Sequence, residues 1–207
     1  MSVTNSHYET IDDAYRYFNE RLFGGCLPDC LVTMNRKGKH NLGYFHARRF
    51  ASRTETSTTT DELSLNPDNF MGRSDEDILS VLVHEMVHVW QQHFSMPPRG
   101  GYHDKKWGSK MEEIGLMPSN TGQPGGKKTG QQMHHYIIPG GPFDLSYLLW
   151  FEAGNKLLWN SQIEEENKNK KPNSKIKYTC PDCEQNAWAK PNAHLVCGHC
   201  DLTMMEE

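Results

Sequence analysis

Val83-His84-Glu85-Met86-Val87-His88 carries the pattern H-E-x-x-H. On a helix, residues four apart share a face with Cβ atoms roughly 5–6 Å apart, so the two imidazoles can hold one metal ion. Glu85, beside the first histidine, then reaches a metal-bound water and can take its proton. The motif is short and also arises by chance, so its surroundings decide. Ser74 is a candidate N-cap with Asp77 three residues on, and Ile78 to Trp90 is apolar almost all round except for the motif. A helix of that kind is buried. Two histidines and a glutamate inside it need partners, because an unpaired buried polar group costs roughly 2–7 kcal/mol. A metal satisfies all three; the rival is a chance match whose core histidines bond to backbone carbonyls.

A catalytic zinc has three protein ligands and one open position. His103 is the third candidate. It follows the turn-forming run Pro97-Pro98-Arg99-Gly100-Gly101 and opens a second helix with Trp107, Met111 and Ile114 on one face and Gly115 at its end. His93 lies five residues past His88 and is rotated off the ligand face. Spacing alone leaves His134 and His135 open as alternatives.

The 207 residues accommodate one sizeable domain and a small module. A net charge of −4 gives no global attraction to nucleic acid, so such binding needs a local patch. There is no apolar run long enough to cross a membrane, and Met1 to Glu9 lacks the apolar core of a signal peptide. A cytoplasmic protein without membrane partners is expected. Cys26 and Cys30 read as free, buried thiols. The remaining cysteines form Cys180-x-x-Cys183 and Cys197-x-x-Cys200, two knuckles that complete a closed tetrahedral site for a structural zinc. Disulfides would need an oxidising compartment, and a redox C-x-x-C would not need two pairs. His194 and His199 are spare nitrogen ligands.

Ile11, Ala14, Tyr15, Phe18 and Leu22 predict an amphipathic helix from Thr10 to Phe23. Cys30–Met34, Leu42–Ala47 and Glu62–Leu65 read as short strands, and Leu145 to Leu158 as a further helix. Helix, strands and then helices is an α+β order. Residues 118–141 are rich in Gly, Gln and Thr around the apolar Tyr136-Ile137-Ile138, and a loop of that length is functional or mobile. Within it, Gly125-Gly126-Lys127-Lys128-Thr129-Gly130 does not meet G-x-x-x-x-G-K-[ST]. A charged linker at 161–177 follows a first domain at 7–160 and precedes a zinc ribbon at 178–207. Its Lys168, Lys170, Lys171, Lys175 and Lys177 are either a solvated run or contacts to DNA phosphates.

Leu22-Phe23-Gly24-Gly25-Cys26-Leu27-Pro28, Leu63-Ser64-Leu65-Asn66-Pro67, the H-E-x-x-H helix, His103 with Lys110-Met111, and the ribbon from Tyr178 to Cys200 occur together. In this combination the chain resembles the SprT-like family, which includes the Spartan proteases. The resemblance implies an α+β, zincin-like metalloprotease domain with helices on a small antiparallel or mixed sheet. It implies His84, His88 and His103 as ligands of a catalytic zinc, Glu85 as general base, and a ribbon that helps recognise DNA near the active site. It also implies activity on DNA-associated or DNA-crosslinked proteins. Met133-His134-His135-Tyr136 is similar to an insertion of bacterial and phage-type members, in which His134, His135 or Tyr136 could stabilise the tetrahedral oxyanion; a plain strand after a loop is the alternative. The negative charge and the lack of a long tail depart from Spartan, which bears on DNA-dependent regulation rather than on the protease chemistry.

The expected function is therefore that of a monomeric zinc metalloendopeptidase, with Glu62–Leu65 offering an edge to an extended protein substrate. The alternative is a zinc-stabilised nucleic-acid-binding protein without protease activity. An intact Glu85 argues against that alternative, since a purely structural site has no need of a carboxylate there.

Overall fold

The computed structural model describes residues 2–36, 41–97, 99–159 and 175–206. Lys168, Lys170 and Lys171 lie outside the described residues. Two compact units emerge, one within Met1–Gln162 and one within Ile163–Glu207.

In the larger unit, helix α1 spans Val3–Phe23 and starts earlier than its apolar spacing predicts. The Ser2 hydroxyl caps it by accepting from the Asn5 N–H, so the helix gains about two turns in which no residue is fully buried. Ile11, Ala14, Tyr15, Phe18, Leu22 and Phe23 form its buried side. Strands β1 (Leu31–Met34), β2 (Gly43–Ala51) and β3 (Thr59–Leu65) make a mixed sheet in the order β1-β3-β2. β1 runs parallel to β3, and β2 antiparallel to it.

β3 is thus the central strand. Its ladder groups are paired on both sides, which corrects the expectation that Glu62–Leu65 offers an edge. β2 runs past the predicted Ala47 through a bulge between His46 and Phe50, where Arg48 takes φ 51° and donates its N–H to Asp61 Oδ1 at 2.7 Å. The other oxygen of buried Asp61 bonds His93 Nε2 at 2.6 Å. His93, off the ligand face as its spacing predicts, ties the end of the motif helix to this sheet.

That helix, α2 (Asp75–Phe94), opens on a complete capping box between Ser74 and Asp77. It buries Ile78 through Val87 without interruption, together with Val89 and Gln91. Its apolar sides meet the sheet, α1 and helix α3 (Lys105–Glu113). Gly115 closes α3 at φ +92°, and a Cβ there would lie 2.8–2.9 Å from the backbone nitrogens of Phe143 and Pro142. Only glycine lets helix α4 (Pro142–Glu152) start that close. Phe143 then stacks on Phe18 at 5.5 Å, and Tyr17 Oη donates to the Ser146 carbonyl. α4 begins before the predicted Leu145 because Pro142 suits a first helical turn, and it ends before Gly154 at φ +86°.

The glycine-rich stretch 118–141 is not a loop throughout. Pro118 and Ser119 end strand β4 (Leu116–Ser119), which pairs antiparallel with β5 (His134–Ile137). Cys26 is exposed and Cys30 half-buried, with the Tyr15 hydroxyl 3.6 Å from its Sγ, so only part of the expected thiol burial occurs. The smaller unit is a three-stranded antiparallel sheet, β6 (Ile176–Thr179), β7 (Asn186–Ala189) and β8 (Met205–Glu206), in the order β7-β6-β8. No helix among the described residues is long and apolar enough to cross a membrane.

Candidate metal centre

His84 and His88 stand one turn apart on α2 with ring centroids 5.4 Å apart. His103 reaches them from the approach to α3. Asp104 caps α3 by accepting from the Trp107 N–H, and the same Oδ1 accepts from Gln91 Nε2 on α2. One carboxylate oxygen therefore starts α3 and pins that start to the motif helix. His103 Nε2 lies 3.1 Å from His88 Nε2, and one nitrogen of each of the three rings lies within 4.8 Å of the others.

All three histidines are held in the neutral state that ligation requires. Burial lowers His84 well below the usual histidine range, with further reduction from His135, His88 and His103. Burial and His103 lower His88 to about 3. Burial lowers His103 too, against the hydrogen bonds to the backbone of Gly130 and Gln131. Glu85, on the same turn as His84, is raised by burial to about 8. Three neutral imidazoles without a carboxylate among them are a donor set that suits zinc with an open position.

The floor of the cluster is Trp107, fully buried, with its ring 4.4, 5.0 and 5.5 Å from those of His103, His84 and His88. Its Nε1 is buried without a hydrogen-bond partner among the described residues. On β2, Gly43 lies against Glu85: a Cβ there would sit 3.2 Å from both Cγ and Oε1 of that side chain. Spacing puts Trp107 on the apolar face of α3 but does not signal its contact with the three rings, and it gives no sign of Gly43, because both contacts arise from segments brought together by the tertiary fold.

The hairpin 116–137 supplies the other surroundings. His103 forms an isolated bridge with Gly130, its N–H donating to the Gly130 carbonyl at 2.8 Å and its Nδ1 3.2 Å from that oxygen. His84 Nδ1 lies 3.1 Å from His135 Nδ1, and His135 Nε2 lies 2.8 Å from Ser80 Oγ. Burial lowers His135 to about 4. Both of its ring nitrogens are therefore engaged, which leaves no donor for an oxyanion. Strand alternation turns exposed His134 and half-buried Tyr136 to the opposite face of β5. The oxyanion role expected of these three residues has no geometric support.

In the smaller unit Cys180, Cys183, Cys197 and Cys200 converge with their sulfurs within 4.8 Å. The two knuckles repeat one backbone pattern. The Cys180 N–H donates to Gln185 and the Cys197 N–H to Leu202. Glu184 and Asp201, each just after a second cysteine, take φ 58° and 54°. The backbone N–H groups of Cys200 and His199 lower the Cys197 thiol to about 7, whereas hydrogen bonding to Asp182 and to Cys183 pushes the Cys200 thiol up. This repeated pair of turns fits a ribbon that holds a metal through thiolates.

A sequence model of the SprT-like family matches residues 11–127, from α1 into the glycine-rich segment and short of β5. A protein of Salmonella typhimurium, described as an uncharacterized protein in the mucB 3' region, is 42% identical over 60 residues, or 29% of this chain and 78% of that protein. No solved structure matches the chain. With the family match covering more than half of its length, the chain belongs to the SprT-like family.

Proposed function

We propose that the protein is a zinc-dependent metalloendopeptidase, with His84, His88 and His103 as ligands and Glu85 as general base. One observation carries this reading: three imidazoles, two on α2 and one on the segment just before α3, converge beside a buried glutamate. Zinc, when bound, lowers the pKa of water and polarises a substrate carbonyl. The chain's own contribution is proton handling and orientation. Burial makes Glu85 a stronger base than an exposed carboxylate, so it can take a proton from the attacking water and deliver it to the leaving amine. A metal held by His84, His88 and His103 would offset part of that rise and favour the ionised carboxylate.

The strand suited to an extended substrate is β2, not β3. It is an outer strand of its sheet, and Gly43 brings its backbone against Glu85. A peptide added there would gain main-chain hydrogen bonds with its scissile region near the base.

DNA-associated or DNA-crosslinked proteins are the proposed substrates, with the four-cysteine ribbon, bearing the second zinc, as the DNA-binding element. Trp188 is 61% exposed on β7 and pairs across the sheet with Lys177, with Lys175 exposed nearby. An exposed aromatic beside lysines is a surface on which unpaired bases stack. The same surface favours the second reading, a nucleic-acid-binding protein without protease activity.

The wild-type chain and Glu85→Gln should be compared for zinc content and for cleavage of an unfolded protein substrate, with and without single-stranded DNA. Two zincs in both proteins and cleavage by the wild type alone support the protease. DNA binding in both with cleavage in neither would leave the second reading.

A further inference from the structure

The hydrogen bonds behind His84 run in one direction. The Ser80 hydroxyl donates to the Asp77 carbonyl one helical turn back, at 2.7 Å. Its single proton is then spent, so Ser80 Oγ is an acceptor toward His135 Nε2 at 2.8 Å. His135 carries its proton on Nε2, and its Nδ1 offers a lone pair. That lone pair faces His84 Nδ1 at 3.1 Å, so His84 must donate from Nδ1. The remaining nitrogen of His84, Nε2, is left with its lone pair free. Each step fixes the next, from a backbone carbonyl to the ring that opens the H-E-x-x-H motif. The same hairpin treats His103 alike: with Nδ1 beside the Gly130 carbonyl, its proton belongs on Nδ1 and its lone pair on Nε2.

We infer that His135 is a positioning residue for the metal centre, fixing the tautomer and orientation of His84 through the chain Asp77–Ser80–His135–His84. The glycine-rich hairpin is then the outer shell of the site, holding one ligand through His135 and another through the Gly130 carbonyl. This inference rests on the metal-centre reading and adds to it a residue beyond the family match, which ends at 127. Partners behind a metal-bound imidazole set its tautomer and basicity, and their loss weakens metal affinity by about 10–100-fold.

Zinc affinity of the histidine site should be measured in the full chain, its ribbon loaded, by competition with a chromophoric chelator. His135→Ala should bind about 10–100-fold more weakly than wild type, with the ribbon zinc unchanged. His135→Asn restores an acceptor near the position of Nδ1 and should recover most of that loss, which a merely space-filling role would not predict. Ser80→Ala, at the far end of the chain, should show a smaller loss in the same direction. A folded His135→Ala with wild-type affinity overturns the inference; should that variant fail to fold, wild-type affinity in Ser80→Ala overturns it instead. If wild type takes up no more zinc than His84→Ala/His88→Ala, the metal-centre reading falls and this inference with it.

Discussion

Gly43 lies so close to Glu85 that a single added carbon would sit 3.2 Å from its Cγ and Oε1, and 2.9 Å from the Ser64 carbonyl oxygen. Space rather than backbone conformation demands glycine here, since its φ lies outside the left-handed region. Gly43→Ala must therefore push β2 away from α2 or turn the carboxylate aside. Overpacking of this kind costs typically about 1–3 kcal/mol. The variant should keep both zincs, melt lower, and lose at least tenfold in peptide cleavage. Unchanged cleavage at unchanged stability would show that β2 does not set the position of Glu85.

The buried carboxyl of Glu85 also makes a pH-dependent contribution to stability. Its folded-state pKa is raised by burial to about 8, above the ordinary value of 4.5. Below pH 4.5 the group is protonated in both folded and unfolded states and costs nothing. As pH rises toward 8 only the unfolded state ionises freely, and stability is lost. With the histidine site emptied by a chelator, Glu85→Gln should be more stable than wild type at pH 7–8, by on the order of 1–3 kcal/mol. The difference should vanish near pH 4. The buried histidines lose stability on acidification in both proteins and cancel in the comparison. Denaturant unfolding at several pH values reads it directly; a difference independent of pH would reject the linkage.

Much of this was visible in the sequence, for identifiable reasons. The capping box, the buried run from Ile78 and the two histidines four apart are local, so a one-dimensional pattern carries them. His103 was legible because a glycine turn and a short helix leave few ways to return to α2. What spacing could not show was contact between distant segments. Gly43 on Glu85, Trp107 beneath the three rings and His135 behind His84 depend on how the sheet, α3 and the hairpin meet α2. The edge role assigned to Glu62–Leu65 failed for a related reason. Strand order is not sequence order: β1 and β2 flank β3 on either side. The sequence points to His135 together with His134 and Tyr136, but only strand alternation on β5 separates it from those two by face.

The smaller unit has a small apolar interior, and we expect it to need a bound metal to fold. Its buried cluster consists of Tyr178, Cys180, Cys197 and Met204, two of which are proposed ligands. Domains this small usually depend on a metal or disulfides, and structural zinc contributes folding energy outright. Cys180→Ser should unfold the ribbon while leaving the thermal transition of the larger unit in place. Circular dichroism melts with and without a strong chelator would show whether two transitions become one. If the ribbon stays folded in chelator, the four cysteines are not holding it through a metal.

Trp107 offers an optical report on the histidine site that does not depend on catalysis. Its ring is fully buried and lies 4.4–5.5 Å from those of all three histidines. A copper(II) or cobalt(II) ion held by those histidines would be close enough to quench its emission strongly. Emission should therefore fall with a one-to-one endpoint when either ion is added to protein whose ribbon already holds zinc. The fall should be absent in His84→Ala/His88→Ala. Trp107→Phe tests the assignment among the five tryptophans of the chain. It should lose most of the quenching while still taking up one equivalent of metal. The substitution also removes the unpartnered Nε1, whose burial alone costs about 1–3 kcal/mol, so the loss of ring volume is partly offset and the variant should remain folded. Quenching that survives undiminished in Trp107→Phe would show that Trp107 is not the reporter, and loss of metal uptake in His84→Ala/His88→Ala would then be the test of the site.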